Sequence, residues 1–225
     1  MQKKIMVVAA HPDDEILGCG GTIARHVIEG DEVQVVFTSD GVGSRETKEF
    51  KNNLISRKKE AVRALKILNT RSPIFLDFPD NSMDSVPLLD VIKPLEKLIS
   101  EFKPKIIYTH HHGDLNIDHS ITCKAVITAS RPSPSNTVNE IYCFEVLSST
   151  EILQYSHNKT FLPAMFVDIS EHLDIKMLAL SEYSSELREF PQSRSIDSVR
   201  NLALVRGSSV GLMAAEAFSV LRIIK

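Results

Sequence analysis

Through the first two-thirds of the chain, short β-branched runs alternate with longer stretches of helical period, and that alternation leaves few folds open. Repeated strand–helix units of this kind build a mostly parallel sheet with helices on its faces. Residues 4–9 (KIMVVA) are apolar on both faces, the mark of a central parallel strand. A helix is predicted from about Asp14 to Glu29, with Gly30 placed to close it. Residues 32–38 (EVQVVFT) form the next strand. A long helix follows from about Glu46 to Asn69, where Leu54, Ala61, Leu65 and Leu68 keep the helical period. Strands at 74–78 and 105–110 flank a helix over 88–102, which Pro94 is expected to kink or delay. A fourth helix starts at Asp118 and stops before Pro132 and Pro134.

Beyond it, NEIYCFEV and AMFVDIS read as strands, 171–187 as an amphipathic helix and 195–205 as another. AEAFSVLRII is expected to be a last strand at an edge. No repeat, low-complexity tract or compositional break marks a linker, so residues 1–225 are expected to form one domain. The predicted architecture is α/β: a three-layer, Rossmann-like fold with a mostly parallel central sheet flanked by helices.

Charge and cysteine content narrow the partners. A net charge of −3 without a basic stripe argues against nucleic acid or an anionic membrane. No apolar stretch approaches the roughly 20 residues of a membrane span. The N-terminal apolar run turns directly into HPDD, so it reads as a strand and not as a signal peptide. Cys19, Cys123 and Cys143 have unrelated spacings and form neither a disulfide framework nor a CxxC zinc pattern. They are expected to be buried thiols in a cytoplasmic protein.

In open α/β sheets ligands bind beyond the carboxyl ends of the strands. Those ends read HPDD, TSDGVGSR, FPDNSMD and THHHGDLNIDH, the four segments richest in His, Asp and Arg. Three adjacent acids, Asp13, Asp14 and Glu15, repel one another unless a cation neutralises them. His11 and Asp14 lie three residues apart across a strand-to-helix turn, and His119 opens a second helix. Two imidazoles and one carboxylate with a position left for water are the composition of a catalytic zinc site, one ion per chain, although other divalent metals share such donors. Asp13 is then placed to move a proton beside the metal, and Asp118 to orient a ligand histidine. The bland alternative, an N-capping aspartate with solvated neighbours, accounts for Asp14 or Glu15 alone.

Of His110, His111 and His112, strand alternation lets one face the pocket, which argues against a second metal. GCGG at 18–21 does not follow the strand end directly, as a dinucleotide loop must; small residues there let the first helix pack closely on the sheet. Arg188 and Arg194, in SSELREFPQSRS, either line a substrate wall or belong to a surface loop. His26, His157 and His172 carry no context.

The stretch AAHPDDEILGCGGTIARH, with a second motif ending in DH after the fourth strand, resembles the LmbE-like (PIG-L) family of zinc-dependent N-deacetylases. The resemblance extends through the order of elements over most of the chain. It implies an enzyme that removes an acyl group, usually acetyl, from an amino-sugar nitrogen such as that of N-acetylglucosamine. It implies His11, Asp14 and His119 as zinc ligands and Asp13 as the base that activates the metal-polarised water. It also implies substrate contacts for Arg57 and Asp80. By its place in the motif, Asp114 is expected to face the pocket. The family usually carries a histidine three residues before the final ligand; here Asn116 stands there. Its amide can donate to an oxyanion but cannot deliver a proton, so either Asp13 does all the proton transfer or His111 or His112 substitutes. The implied partner is a small N-acylated amino sugar or glycoconjugate, and a homo-oligomer is possible by analogy with relatives. Two other functions use the same residues: a non-haem iron(II) enzyme with a two-His-one-Asp site, and a non-catalytic metal- or sugar-binding protein.

Overall fold

The computed structural model describes residues 2–43, 50–153 and 159–225. Its elements run β1 (Lys4–Ala9), α1 (Asp14–Ile28), β2 (Glu32–Ser39), α2 (Phe50–Ile67), β3 (Ile74–Phe78), α3 (Leu88–Phe102), β4 (Ile106–His110) and α4 (Ile117–Ala129). They continue as β5 (Glu140–Phe144), β6 (Met165–Asp168), α5 (Leu173–Ser181), α6 (Ile196–Ser208) and β7 (Ala215–Ile223). The predicted helix start at Glu46, loop residues 44 and 45, and His157 lie outside the described residues.

The strands form one seven-stranded sheet in the order β3-β2-β1-β4-β5-β7-β6. The first five are mutually parallel, and β7 pairs antiparallel with both β5 and β6. The expected α/β architecture is therefore present. One expectation is corrected: β7 is not an edge strand but lies between β5 and β6, and β6 forms that edge. Hydrophobic pattern distinguishes buried from exposed faces but carries no information on which neighbour a strand inserts beside.

Strand β1 shows why the run KIMVVA is apolar throughout. Ile5, Val7 and Ala9 pack into a core with α1, α2, α5 and α6. Met6 and Val8 pack into the opposite core with α3 and α4. Alternate side chains of one strand thus supply two layers. Helix α3 starts at Leu88 and runs on through Pro94 rather than starting after it. The helix expected over 171–187 is shorter, ending at Ser181. Gly30 closes the turn after α1 at φ 89, a conformation that suits glycine.

Helix α1 is not continuous. Cys19 leaves helical geometry at φ −147, ψ 25, splitting α1 into two helical segments across a kink. The small residues around the break allow close packing, as their sequence suggested. A methyl group on Gly18 would lie 2.2 Å from the Phe144 ring, and one on Gly21 2.8 Å from Ile169. The amides freed by the break are met by a buried carboxylate: Gly21 N–H and Thr22 N–H donate to Glu216 at 2.9 and 2.7 Å. Lys176 closes the arrangement, donating to Glu216 at 2.6 Å and to the freed carbonyl of Leu17 at 3.0 Å. All three cysteines are free and buried.

The strand order reverses between β1 and β4, which are neighbours. Chain segments leaving the two strands diverge there and open the crevice in which α/β proteins place ligands.

Candidate functional site

Residues from both sides of that crevice converge. His11, Asp13 and Asp14 follow β1, while His110, Asp114, Asp118 and His119 follow β4; all are buried. Three donor atoms form a nearly equilateral triangle. His11 Nδ1 lies 3.1 Å from Asp14 Oδ2, His119 Nε2 lies 3.2 Å from the same oxygen, and the two nitrogens are 3.3 Å apart. A tetrahedral zinc with bonds of about 2.0–2.1 Å sets neighbouring ligand atoms roughly 3.3–3.4 Å apart. The fit is close. Asp14 Oδ1 is buried with no hydrogen-bond partner, a further sign of a site built for a cation.

Orienting groups stand behind both imidazoles. His11 Nε2 faces Asp118 Oδ2 at 3.0 Å and Asp80 Oδ1 at 3.1 Å. His119 Nδ1 faces Asp114 Oδ1 at 3.2 Å. In the form that could hold a metal, each imidazole keeps its proton on that outer nitrogen, toward the carboxylates, and turns the other lone pair to the triangle. The orienting groups are themselves fixed. Asp118 accepts from Asn81 N–H at 2.7 Å and Met83 N–H at 3.1 Å. Asp114 accepts from the Ser149 hydroxyl at 3.0 Å and the Thr150 hydroxyl at 2.5 Å.

The charges are strongly coupled. Burial raises the Asp14 carboxyl, but His119 and His11 outweigh it and hold Asp14 well below the usual carboxylate range. Burial opposes an imidazolium at His11, yet Asp118, Asp14 and Asp80 raise it well above its ordinary value. Burial likewise opposes the charge on His119, and Asp14 with Asp114 overcomes it, pushing the group up to about 9. A metal ligand must be neutral imidazole, so a metal held by these two rings would have to displace a proton from each. Below pH about 9, metal binding is therefore expected to release at least the proton of His119, with His11 adding to the count in the same direction, and apparent affinity to fall at least about tenfold for each unit of pH lowered. Calorimetric titration in buffers of different ionisation enthalpy measures the number; a count of zero contradicts the assignment.

Asp13 sits beside the triangle but outside it. Its Oδ2 is held by Arg57 Nη2 at 3.3 Å and Arg194 Nη1 at 3.2 Å. Its Oδ1 is buried and has no hydrogen-bond partner. Burial raises its carboxyl above the ordinary range, with Arg57 and Arg194 pulling the other way. Glu186 bridges the guanidiniums, 2.9 Å from Arg57 and 3.5 Å from Arg194.

The remaining sequence candidates divide. Arg57 and Asp80 reach the site but are buried against Asp13 and His11. Asp114 is turned onto His119. Asn116 caps α4: its Oδ1 accepts Asp118 N–H at 2.9 Å, and its Nδ2 donates to Asn81 Oδ1 at 3.0 Å. His111 Nε2 meets the Lys159 carbonyl at 2.9 Å. His112 is exposed. The inward member of that run is His110, stacked on His119 with ring centroids 3.8 Å apart. Its Nε2 accepts Ala10 N–H at 2.7 Å and so has no lone pair left for a metal. Arg194 reaches inward, whereas Arg188 bonds the carbonyls of Ser185 and Leu187. Tyr183 and Glu186 carry no sequence signal of a role, and Glu15 stands out only as one of three adjacent acids, because their contacts join segments far apart in the chain.

Comparison with known proteins places these residues in a wider setting. The sequence profile of the PIG-L family, described as GlcNAc-PI de-N-acetylase, matches residues 6–130. An uncharacterized deacetylase of Escherichia coli K12, YaiS, is 30% identical over 191 residues, covering 82% of this chain and 92% of that protein. The diacetylchitobiose deacetylase of Thermococcus kodakarensis is 26% identical over 223 residues, covering 95% of this chain and 81% of that protein. Among solved structures, N,N′-diacetylchitobiose deacetylase from Pyrococcus horikoshii superposes with a TM-score of 0.79 at 22% identity. That match covers 98% of this chain and 84% of the other, and the likeness is one of fold.

Proposed function

The chain belongs to the PIG-L family of N-deacetylases, and from that premise we propose that it hydrolyses the N-acetyl group of an amino sugar with zinc held by His11, Asp14 and His119. The observation that carries the reading is the triangle of three ligand atoms with the buried, open oxygen of Asp13 beside it. Zinc there would polarise the acyl oxygen and lower the pKa of a water towards about 7.

The chain's own residues do the rest. Asp13 accepts the proton of the attacking water at Oδ1 and delivers it to the departing nitrogen. Arg57 and Arg194, both on Oδ2, leave Oδ1 as the one oxygen free to move that proton. Asp118 and Asp114 orient His11 and His119. Asn116 is assigned to positioning through the α4 cap rather than to the oxyanion, and Asp13 serves as both base and acid. Arg57 and Asp80 are likewise assigned to holding Asp13 and His11, not to direct substrate contact. Among the described residues no helix is long and apolar enough to cross a membrane, and the proposed substrate is a small N-acetylated sugar or its conjugate.

The test is amine release across N-acetylglucosamine, N,N′-diacetylchitobiose, N-acetylated glycosides and nucleotide sugars, with zinc and with chelator. Chelator-sensitive release from at least one of them is expected. Release that chelator leaves untouched contradicts the proposed role of zinc.

A further inference from the structure

Asp13 adopts φ 120, ψ −31, a backbone conformation that residues other than glycine rarely hold. It persists only where the surroundings over-determine it. On one side the Asp13 carbonyl accepts from Ile16 N–H and Leu17 N–H at 3.0 and 2.9 Å, the first bonds of α1. On the other its amide donates to Glu15 Oε2 at 3.0 Å. The second oxygen of Glu15 accepts the Tyr183 hydroxyl at 2.5 Å. Glu15 and Tyr183 are both fully buried. The Tyr183 ring also lies 5.6 Å from the guanidinium of Arg57, the residue that holds Asp13 Oδ2.

We propose that Glu15 and Tyr183 are positioning residues that fix the backbone of Asp13, so that its open oxygen faces the metal site. The proposal rests on the assignment of Asp13 as the base. Both oxygens of Glu15 are engaged, one by the amide of Asp13 and one by Tyr183, which leaves Glu15 acting on the site through Asp13. Without that acceptor the Asp13 amide would be buried and unbonded, which favours its return to ordinary φ. Such a turn swings the side chain away, and a misplacement of about 1 Å can lower a rate about 100-fold.

Three variants of the zinc-loaded chain test this, assayed on N,N′-diacetylchitobiose beside the wild type. Glu15→Gln keeps a carbonyl that accepts the Asp13 amide, whereas Glu15→Met keeps comparable bulk without an acceptor. Tyr183→Phe removes only the hydroxyl. Glu15→Gln is expected to stay within about fivefold of wild-type kcat, and Glu15→Met to fall about 100-fold, with KM and zinc content within about twofold. Tyr183→Phe is expected to fall about tenfold, and it carries the test if Glu15→Met does not fold. Equal kcat in the Gln and Met variants would mean that Glu15 only fills space, and would overturn the proposal. Crystal structures of Glu15→Met and Tyr183→Phe give a second readout that needs no substrate. Residue 13 is expected to leave positive φ, and its remaining at φ near 120 in both overturns the proposal. A wild type inactive on N,N′-diacetylchitobiose counts against that substrate, while the conformation of residue 13 still decides the role of Glu15.

Discussion

Asp13→Asn is expected to lower kcat by about 10²–10⁴-fold, the range that general acid–base catalysis supplies, while zinc stays bound at one per chain. The separation of the two effects follows from the geometry. Asp14, not Asp13, supplies the carboxylate oxygen that meets His11 Nδ1 and His119 Nε2. Asparagine keeps the volume and an oxygen for Arg57 and Arg194, so the surrounding ion pairs lose charge but not shape. It cannot hold a proton at the position of Oδ1, and two histidines near the site are each engaged through Nε2, His110 by Ala10 N–H and His111 by the Lys159 carbonyl. Steady-state kinetics with metal analysis of the same preparation decides the matter. Undiminished kcat, or zinc lost together with activity, would show that Asp13 has been assigned the wrong role.

The second large effect is on stability. Lys176→Met is expected to destabilise the fold by about 3–5 kcal/mol, the cost of removing one partner of a buried ion pair. Lys176 and Glu216 are both almost entirely buried. Their contact, at 2.6 Å, stitches the break in α1. Methionine would leave Glu216 with the amides of Gly21 and Thr22 but no cation, and the Leu17 carbonyl without its lysine donor. The midpoint of thermal unfolding should fall by roughly 10 °C for a chain of this size. The double variant Lys176→Met/Glu216→Gln should lose less than Lys176→Met alone, because no unpaired charge remains buried. Urea unfolding of the three proteins checks both statements. A loss below about 1 kcal/mol in Lys176→Met would place the pair among the many ion pairs that contribute little.

The parts of the candidate site that local spacing determines are legible in the sequence. His11 and Asp14 span a single turn after a strand, and His119 opens a helix after the neighbouring strand, so the parallel topology alone brings them together. The identity of each orienting carboxylate was not legible. Asp118 was expected behind a histidine, but whether it faces His11 or its neighbour His119 depends on the rotation of α4. Arg57 and Asp80 are expected near the substrate, and their head groups lie buried against Asp13 and His11, since spacing places a residue near a site without fixing what its head group meets. Glu15 and Tyr183 are 168 residues apart, and nothing in the local pattern of either announces the other. The same limit applies to β7, whose insertion between β5 and β6 is decided by the chain path and not by its alternation. The break at Cys19 was hidden for a different reason: the glycines that permit it read equally well as close packing in a continuous helix.

The central claim is that a metal held by His11, Asp14 and His119 drives amide hydrolysis. Its most direct test is acetate release from N-acetylglucosamine and N,N′-diacetylchitobiose by chelator-stripped protein, to which zinc or iron(II) is added back stepwise while oxygen uptake is followed. Acetate release is predicted to be absent from the stripped protein, to return in full at one equivalent of zinc, and to consume no oxygen. Full activity in the stripped protein, or turnover that needs iron(II) and oxygen, would contradict the account.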